Sequence, residues 1–194
     1  MRSFIHSMFV VITALGLLGP EDNLAQSPSH TPSVGILLEV IATHTTMASE
    51  NTYVYLRVFS DRTAEFQPSR HGDSERKELP VIKKTLTQDE FIRITSVLSE
   101  PKLATVGPRY ETRYAIVDTS TEWTIKVQRL GQTQTIQVLE FSPSLARTMK
   151  RPFPDALVKL GCNIEKLRAG LSGESNFPDS ECMRVLRATS QPKS

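Results

Sequence analysis

The sequence predicts an α+β domain, in which an antiparallel β-sheet of meanders and hairpins has two or three helices packed on one face. Three observations support this fold class. Several short segments alternate apolar and polar residues, as strands with one solvated face do. A capping box begins one helix, and apolar residues recur at steps of three and four near the end of the chain. The 194 residues are enough for one such domain.

The alternating segments predict up to seven strands, over 35–43, 52–59, 64–66, 81–86, 113–118, 122–128 and 133–141. Segment 122–128 is the clearest of them, because Trp123, Ile125 and Val127 share one face. A tight turn at 60–63 joins the second and third strands. This turn contains no glycine, so we expect a type I-like geometry.

Two helices have clear sequence signals. Thr87 and Glu90 form a capping box, and the apolar pattern that follows ends before Pro101. The second helix is predicted between Phe153 and Leu171, with one apolar stripe. Gly161 lies inside it and costs about 1 kcal/mol relative to alanine, so the helix can break there. The dispersed cations of this region, Lys159, Lys166 and Arg168 among them, predict a solvated helix face.

The N-terminus predicts export. A cation at Arg2 and a 12-residue apolar run are typical of a secretory signal, which we assign to residues 1–25. Residues 26–34 then form a flexible leader, residues 35–171 the folded domain, and residues 172–194 a weakly patterned C-terminal tail. The apolar run is too short to span a membrane, so no stable membrane span is expected after cleavage.

Cys162 and Cys182 are the only two cysteines, and export would place both in an oxidising compartment. We therefore predict a disulfide between them that tethers the tail. The alternative is a metal or redox pair, but neither cysteine belongs to a CxxC motif or has a histidine nearby.

The catalytic inventory is small, and no catalytic, cofactor-binding or metal-binding residue is assigned. His44 follows the first strand, and His71 lies in a charged loop at 68–79. Both are interpreted as structural or solvated residues, although His71 beside acidic residues could act as a base. Phosphate-binding glycine loops, serine-nucleophile elbows and calcium loops are absent from the sequence. Four strand carboxylates remain open as a hydrolytic pair: Glu39, Glu65, Glu122 and Glu140.

One strand carries the candidate binding face. Tyr53, Tyr55, Arg57 and Phe59 alternate along the second predicted strand, and aromatic residues with an arginine suit an interface. The same row also suits ordinary packing within a sheet, and this alternative stays open.

The stretch from Asn51 to Phe66 resembles a strand, an Asp-led turn and a returning strand of a group of small exported bacterial proteins classed as a domain of unknown function. The helix after Thr87 and the 123–138 hairpin follow in the same order. The chain departs from that group at Arg62, where the group usually has glycine, and at 47–50, where the group's paired cysteines are missing. The resemblance implies the fold and the export, and implies no activity or site residue.

These observations predict an exported, non-catalytic domain, periplasmic or secreted, that binds another protein or an envelope component. The formal charge of +2 provides no general attraction to nucleic acid, and no nucleic-acid partner or cofactor is expected. The alternatives are a small hydrolase that uses carboxylates or His71, and an inhibitor-like module.

Overall fold

The described part of the chain is built around one β-sheet. The computed structural model describes residues 34–68, 79–111, 119–129, 131–143, 153–173 and 180–190. Among these residues, seven strands pair in the order β4-β3-β2-β1-β6-β7-β5. Their bounds are β1 Ile36–Thr46, β2 Glu50–Phe59, β3 Thr63–Phe66, β4 Ile82–Thr85, β5 Arg109–Glu111, β6 Thr119–Arg129 and β7 Gln132–Leu139. The order places β1 near the centre of the sheet, between β2 and β6.

Four helices complete the described part of the chain: α1 Gln88–Leu98, α2 Pro101–Ala104, α3 Asp155–Ser172 and α4 Ser180–Ser190. The capping box begins α1 as predicted. Glu90 donates its backbone N–H to the Thr87 hydroxyl at 3.3 Å, and the Glu90 carboxylate accepts the Thr87 N–H at 2.9 Å. Pro101 follows the end of α1 and stands at the first position of α2, where no backbone donor is needed.

The predicted fold class is confirmed. Inner-face residues of the central strands and apolar residues of the helices form one buried cluster. Strands β1 and β6 contribute to it as their alternation predicts, with Leu38, Val40, Ala42, Trp123, Ile125 and Val127 all buried. The helices therefore cover one face of the sheet, and we call this the inner face.

The sheet is not antiparallel throughout. Strand β5 pairs with β7 in parallel, with Tyr110 opposite Val138. The chain enters β5 from α2 and not through a hairpin, so no tight turn imposes an antiparallel direction. The strand predicted at 113–118 lies wholly outside the described residues.

Helix α3 runs through Gly161 without a break. The glycine is needed for packing, because an ideal β-carbon on it would lie 2.0 Å from Cζ of Phe141. That ring belongs to an aromatic row on the inner face and stacks on Trp123 at 5.0 Å and on Phe153 at 5.7 Å between ring centroids. Gly161 thus lets the helix approach the sheet closely.

Helix α4 was not predicted, because the residues after Gly170 show little periodicity. Its Cys182 is bonded to Cys162 of α3, as the sequence analysis predicts, and both cysteines are buried. Leu186 adds to the same buried cluster. The disulfide therefore holds a helix against α3 where the sequence suggested only a tail.

Candidate functional site

The predicted binding face does not exist as one surface, because β2 contains a β-bulge. Val40 of β1 is opposite Leu56, and the next residue of β1, Ile41, is opposite Val54, so Tyr55 is an extra residue. One extra residue reverses the direction of every side chain beyond it. The tyrosines before the bulge and the arginine after it consequently lie on opposite faces.

Tyr55 belongs to the inner face and packs beneath α3. Its hydroxyl donates to Oε2 of Glu165 at 2.8 Å, and its ring lies 4.9 Å from the Trp123 ring. Burial of the hydroxyl, followed by the negative charge of Glu165, raises the pKa of Tyr55 far above its ordinary value. Tyr53 lies beside it, with ring centroids 6.4 Å apart, and is also partly buried against the core. Both tyrosines therefore stabilise the packing of helix and sheet.

Arg168 is the second buried polar group of this region. Only 3% of the residue is exposed, which contradicts the solvated position predicted for it. Its guanidinium lies 4.5 Å from the Phe66 ring centroid and 5.5 Å from that of Tyr55, and it donates to the Gln67 carbonyl oxygen at 2.7 Å. Two aromatic rings and one carbonyl thus surround the guanidinium, while its buried Nε and Nη1 have no hydrogen-bond partner among the described residues.

Arg57 lies on the opposite, outer face of the sheet and is part of a straight row of charges. Directly opposite residues on five neighbouring strands alternate in sign, and the strand registers place them in one line. We call these residues the charge row: Lys83 of β4, Glu65 of β3, Arg57 of β2, Glu39 of β1 and Lys126 of β6. Opposite charges that face each other across strands stabilise a sheet by about 0.2–1 kcal/mol per pair.

Glu39 is the centre of the charge row. Its two carboxylate oxygens accept from Nε of Arg57 at 2.9 Å and from Nζ of Lys126 at 2.8 Å. The Lys126 ammonium holds the pKa of Glu39 below its ordinary value; burial opposes this effect, and Arg57 adds to it. The Arg57–Glu65 and Glu65–Lys83 pairs are longer, at 3.8 and 4.0 Å.

The cations of the charge row stand further into solvent than the carboxylates. The side chains of Glu39 and Glu65 are 14% and 21% exposed, whereas those of Lys126 and Lys83 are 46% and 66% exposed. Phe59 adds an apolar ring beside one end of the row, 5.9 Å from the Lys83 ammonium. An approaching molecule therefore meets positive charge and one aromatic ring before it meets a carboxylate.

The other residues singled out in the sequence make structural contacts. Nδ1 of His44 lies 3.0 Å from the Thr121 hydroxyl, while His71 is outside the described residues. Glu122 faces Arg109 at 3.8 Å, and Glu140 accepts the backbone N–H of Thr121. Within the described residues, no group of three metal-ligating side chains comes together.

Sequence reasoning missed the charge row, although it placed Glu39 and Glu65 on strands. A signal was present in the opposite charges on neighbouring strands. It could not be used, because two irregularities in the β1–β2 register decide which residues face each other. The strand register, and not the local sequence pattern, decides which residue lies opposite a charged residue.

No family model matches the chain, and no curated protein matches it. In the part of the chain that the structure describes, no helix is both long and apolar enough to cross a membrane.

Proposed function

We propose that this chain is an exported, non-catalytic binding domain whose charge row binds an acidic protein surface. One observation carries the proposal, namely the order of exposure along the row. The ammonium groups of Lys83 and Lys126 project into solvent, and the two carboxylates lie lower between their neighbours. Charge complementarity of this kind raises association rates and favours partners of opposite sign.

Export is supported by two independent features. The disulfide between Cys162 and Cys182 fits an oxidising extracellular environment. The signal-like pattern of residues 1–25 predicts delivery to such an environment. A periplasmic or secreted location is therefore part of the proposal.

The absence of catalysis is supported by the contacts of the strand carboxylates. Glu39 is held by two cations, and Glu140 is held by a backbone donor. Glu39 is a poor proton acceptor, because its two cationic partners already stabilise its ionised form and lower its pKa. This favours binding over the hydrolase alternative.

The test is capture of envelope proteins on the purified, immobilised chain. We expect the recovered proteins to be acidic, and we expect recovery to fall as the salt concentration rises, because salt screens exposed charges. The variant that combines Lys83→Glu and Lys126→Glu should recover at least tenfold less of them. Quantitative mass spectrometry of the eluted proteins measures the loss.

The matched control is the pair Lys102→Glu and Arg187→Glu, which makes the same change of charge away from the sheet and from the cleft between α1 and α3. Both control residues are exposed on helices. Equal recovery by the two double variants would contradict the proposal, since the effect would then follow total charge and not the charge row. Unchanged recovery by the charge-row variant would contradict it as well.

A further inference from the structure

A small cleft lies between α1 and α3, two of the helices that cover the inner face of the sheet. The charge row lies on the outer face. The cleft has a volume of about 140 Å³, and residues of both helices line it. At about 30 Å³ for each water of the liquid, this space corresponds to four or five waters. A tetrahedral oxyanion, with five heavy atoms, is of this size.

Two cations meet at this cleft, Arg93 from α1 and Lys166 from α3. The described part of the chain gives neither of them a hydrogen bond or an ion pair. The third charged residue, Glu90, is already engaged, because its Oε2 accepts from the Thr87 N–H at 2.9 Å and from the Thr87 hydroxyl at 2.8 Å. These neutral donors leave the charge of Glu90 in place, so the cleft has two cations from different helices against one carboxylate, a net charge of +1.

The electrostatics of Lys166 agree with this. Partial burial of the ammonium, on a residue that is otherwise exposed, and then the neighbouring charge of Arg93 lower the pKa of Lys166. An anion between the two cations would reverse both effects, since it would replace lost hydration and separate like charges.

Asn163 supplies a neutral donor in the wall of the cleft. The residue is almost fully buried, and its Nδ2 donates to the Lys159 carbonyl oxygen at 2.8 Å. A side-chain amide has two N–H bonds, so a second donor remains on the same nitrogen.

Gly170 lies at the same cleft. An ideal β-carbon there would meet only Oε1 of Glu90, at 3.9 Å. A methyl group would thus fit the helix and reduce the space in the cleft.

We propose that the cleft between α1 and α3 binds a phosphoryl group, with Arg93 and Lys166 contacting its oxygens and Asn163 donating from the wall. Arginine and lysine from separate elements are a common pair for such a group, since both donate charge-assisted hydrogen bonds to oxyanions. This site is distinct from the charge row and goes beyond the function proposed above.

The test is calorimetric titration of the purified chain with inorganic phosphate and, separately, with glycerol 3-phosphate, at constant ionic strength. We expect saturable binding of at least one of them. Lys166→Gln and Arg93→Gln should each weaken it at least tenfold, and Gly170→Ala should weaken it several-fold. Lys126→Gln removes the same charge from the charge row and should change the dissociation constant less than twofold.

A second measurement reports on the site directly. Carbon-13 NMR of the lysine side chains should show that the pKa of Lys166 rises when the cleft is filled, while that of Lys126 stays constant. Lys166 is exposed on a helix, so the Lys166→Gln chain is expected to fold, and circular dichroism checks this.

Each outcome has a definite meaning. Saturation by inorganic phosphate supports a free anion as the ligand, and saturation by the ester alone supports a phosphorylated molecule. No saturation by either, or an equal effect of Lys166→Gln and Lys126→Gln, overturns the proposal. A chain that binds phosphate but captures no acidic protein would refute only the function proposed for the charge row, and the reverse result would refute only the phosphoryl site.

Discussion

Gly161 is expected to tolerate no side chain, because the ring of Phe141 occupies the place of a β-carbon. The ideal β-carbon would lie 2.0, 2.3 and 2.7 Å from three ring atoms, and contacts below 3.0 Å require a shift of one partner. The ring has little freedom to shift. Trp123 stacks on it at 18° between ring planes and Phe153 at 9°.

The expected cost of Gly161→Ala follows from these contacts. Overpacking a filled core costs about 1–3 kcal/mol. Moving the ring also weakens two aromatic stacks, which contribute about 0.5–1.5 kcal/mol each. The higher helix propensity of alanine stabilises the folded chain by about 1 kcal/mol and offsets part of this cost. We therefore expect the free energy of unfolding to fall by about 1–5 kcal/mol, centred near 3 kcal/mol.

The assay is urea unfolding followed by the fluorescence of Trp123, the only tryptophan in the chain, whose ring contacts Phe141. Gly170→Ala is the matched control, because it makes the same substitution in the same helix without a ring nearby. That variant should be more stable than the natural chain by up to about 1 kcal/mol.

A rescue experiment tests the cause. Phe141→Leu replaces the ring by a smaller side chain and makes room for the added methyl group. The double variant Gly161→Ala, Phe141→Leu should therefore lose less free energy of unfolding than the two single variants together, by about 1 kcal/mol or more. The reasoning is refuted if Gly161→Ala unfolds at the same urea concentration as Gly170→Ala.

Three further predictions concern other parts of the fold. Glu39→Gln should lower the free energy of unfolding by about 1 kcal/mol at pH 7, because two cross-strand pairs are lost. The difference should shrink as the pH falls from the ordinary pKa of 4.5 through the lower folded pKa of Glu39, as urea unfolding at several pH values would measure. The Cys162→Ala, Cys182→Ala double variant should lose about 3 kcal/mol by the same assay, because the loop that the disulfide closes becomes free in the unfolded chain. Arg62→Gly should raise the midpoint of thermal unfolding and add about 0.5 kcal/mol, since Arg62 has a left-handed backbone with φ of 68°.

Each of these predictions has a result that would contradict it. A pH-independent difference between Glu39→Gln and the natural chain would mean that Glu39 is not titrating in its ion pairs. The cysteine variant should match the natural chain under reducing conditions and differ from it under oxidising ones, so equal stability in both conditions counts against the loop argument. A lower melting temperature for Arg62→Gly would show that the exposed hydrogen bond from Arg62 to Gln88, at 3.0 Å, outweighs the backbone strain.

Local patterns predicted the elements well where one local interaction decides them. The helix after Thr87 begins at its capping box because the box satisfies backbone donors within four residues. The inner face of β6 follows from alternation alone, since its Trp123, Ile125 and Val127 are all buried. Such features need no knowledge of the rest of the chain.

Long-range packing decided the features that the patterns missed. In the sequence, Gly161 is typical of a helix break. In the structure, the ring of Phe141, twenty residues earlier, leaves no space for a β-carbon at this position. Helix α4 has a short apolar pattern, at Cys182, Val185 and Leu186, and the bond from Cys182 to Cys162 attaches it to α3. The local pattern predicts a solvent-exposed Arg168, whereas in the structure the rings of Tyr55 and Phe66 pack against it.

The candidate sites depend on tertiary structure in the same way. Sequence parity assigned Tyr55 and Arg57 to one face, and the bulge in β2 separated them. The charge row needs the register of five strands, and the cleft between α1 and α3 needs the approach of Arg93 and Lys166, which are 73 residues apart in sequence.

The sequence by itself determined the α+β class, the main strands, the start of α1, the cysteine pair and the expectation of export. These follow from periodicity, caps and composition, which act over a few residues or over the whole chain. The tertiary structure decided which side chains meet: Glu39 with two cations, Tyr55 with Glu165, and Arg93 with Lys166 across a cleft. The physical reason is that strand register and helix approach are set by packing over long sequence separations, which no local pattern records.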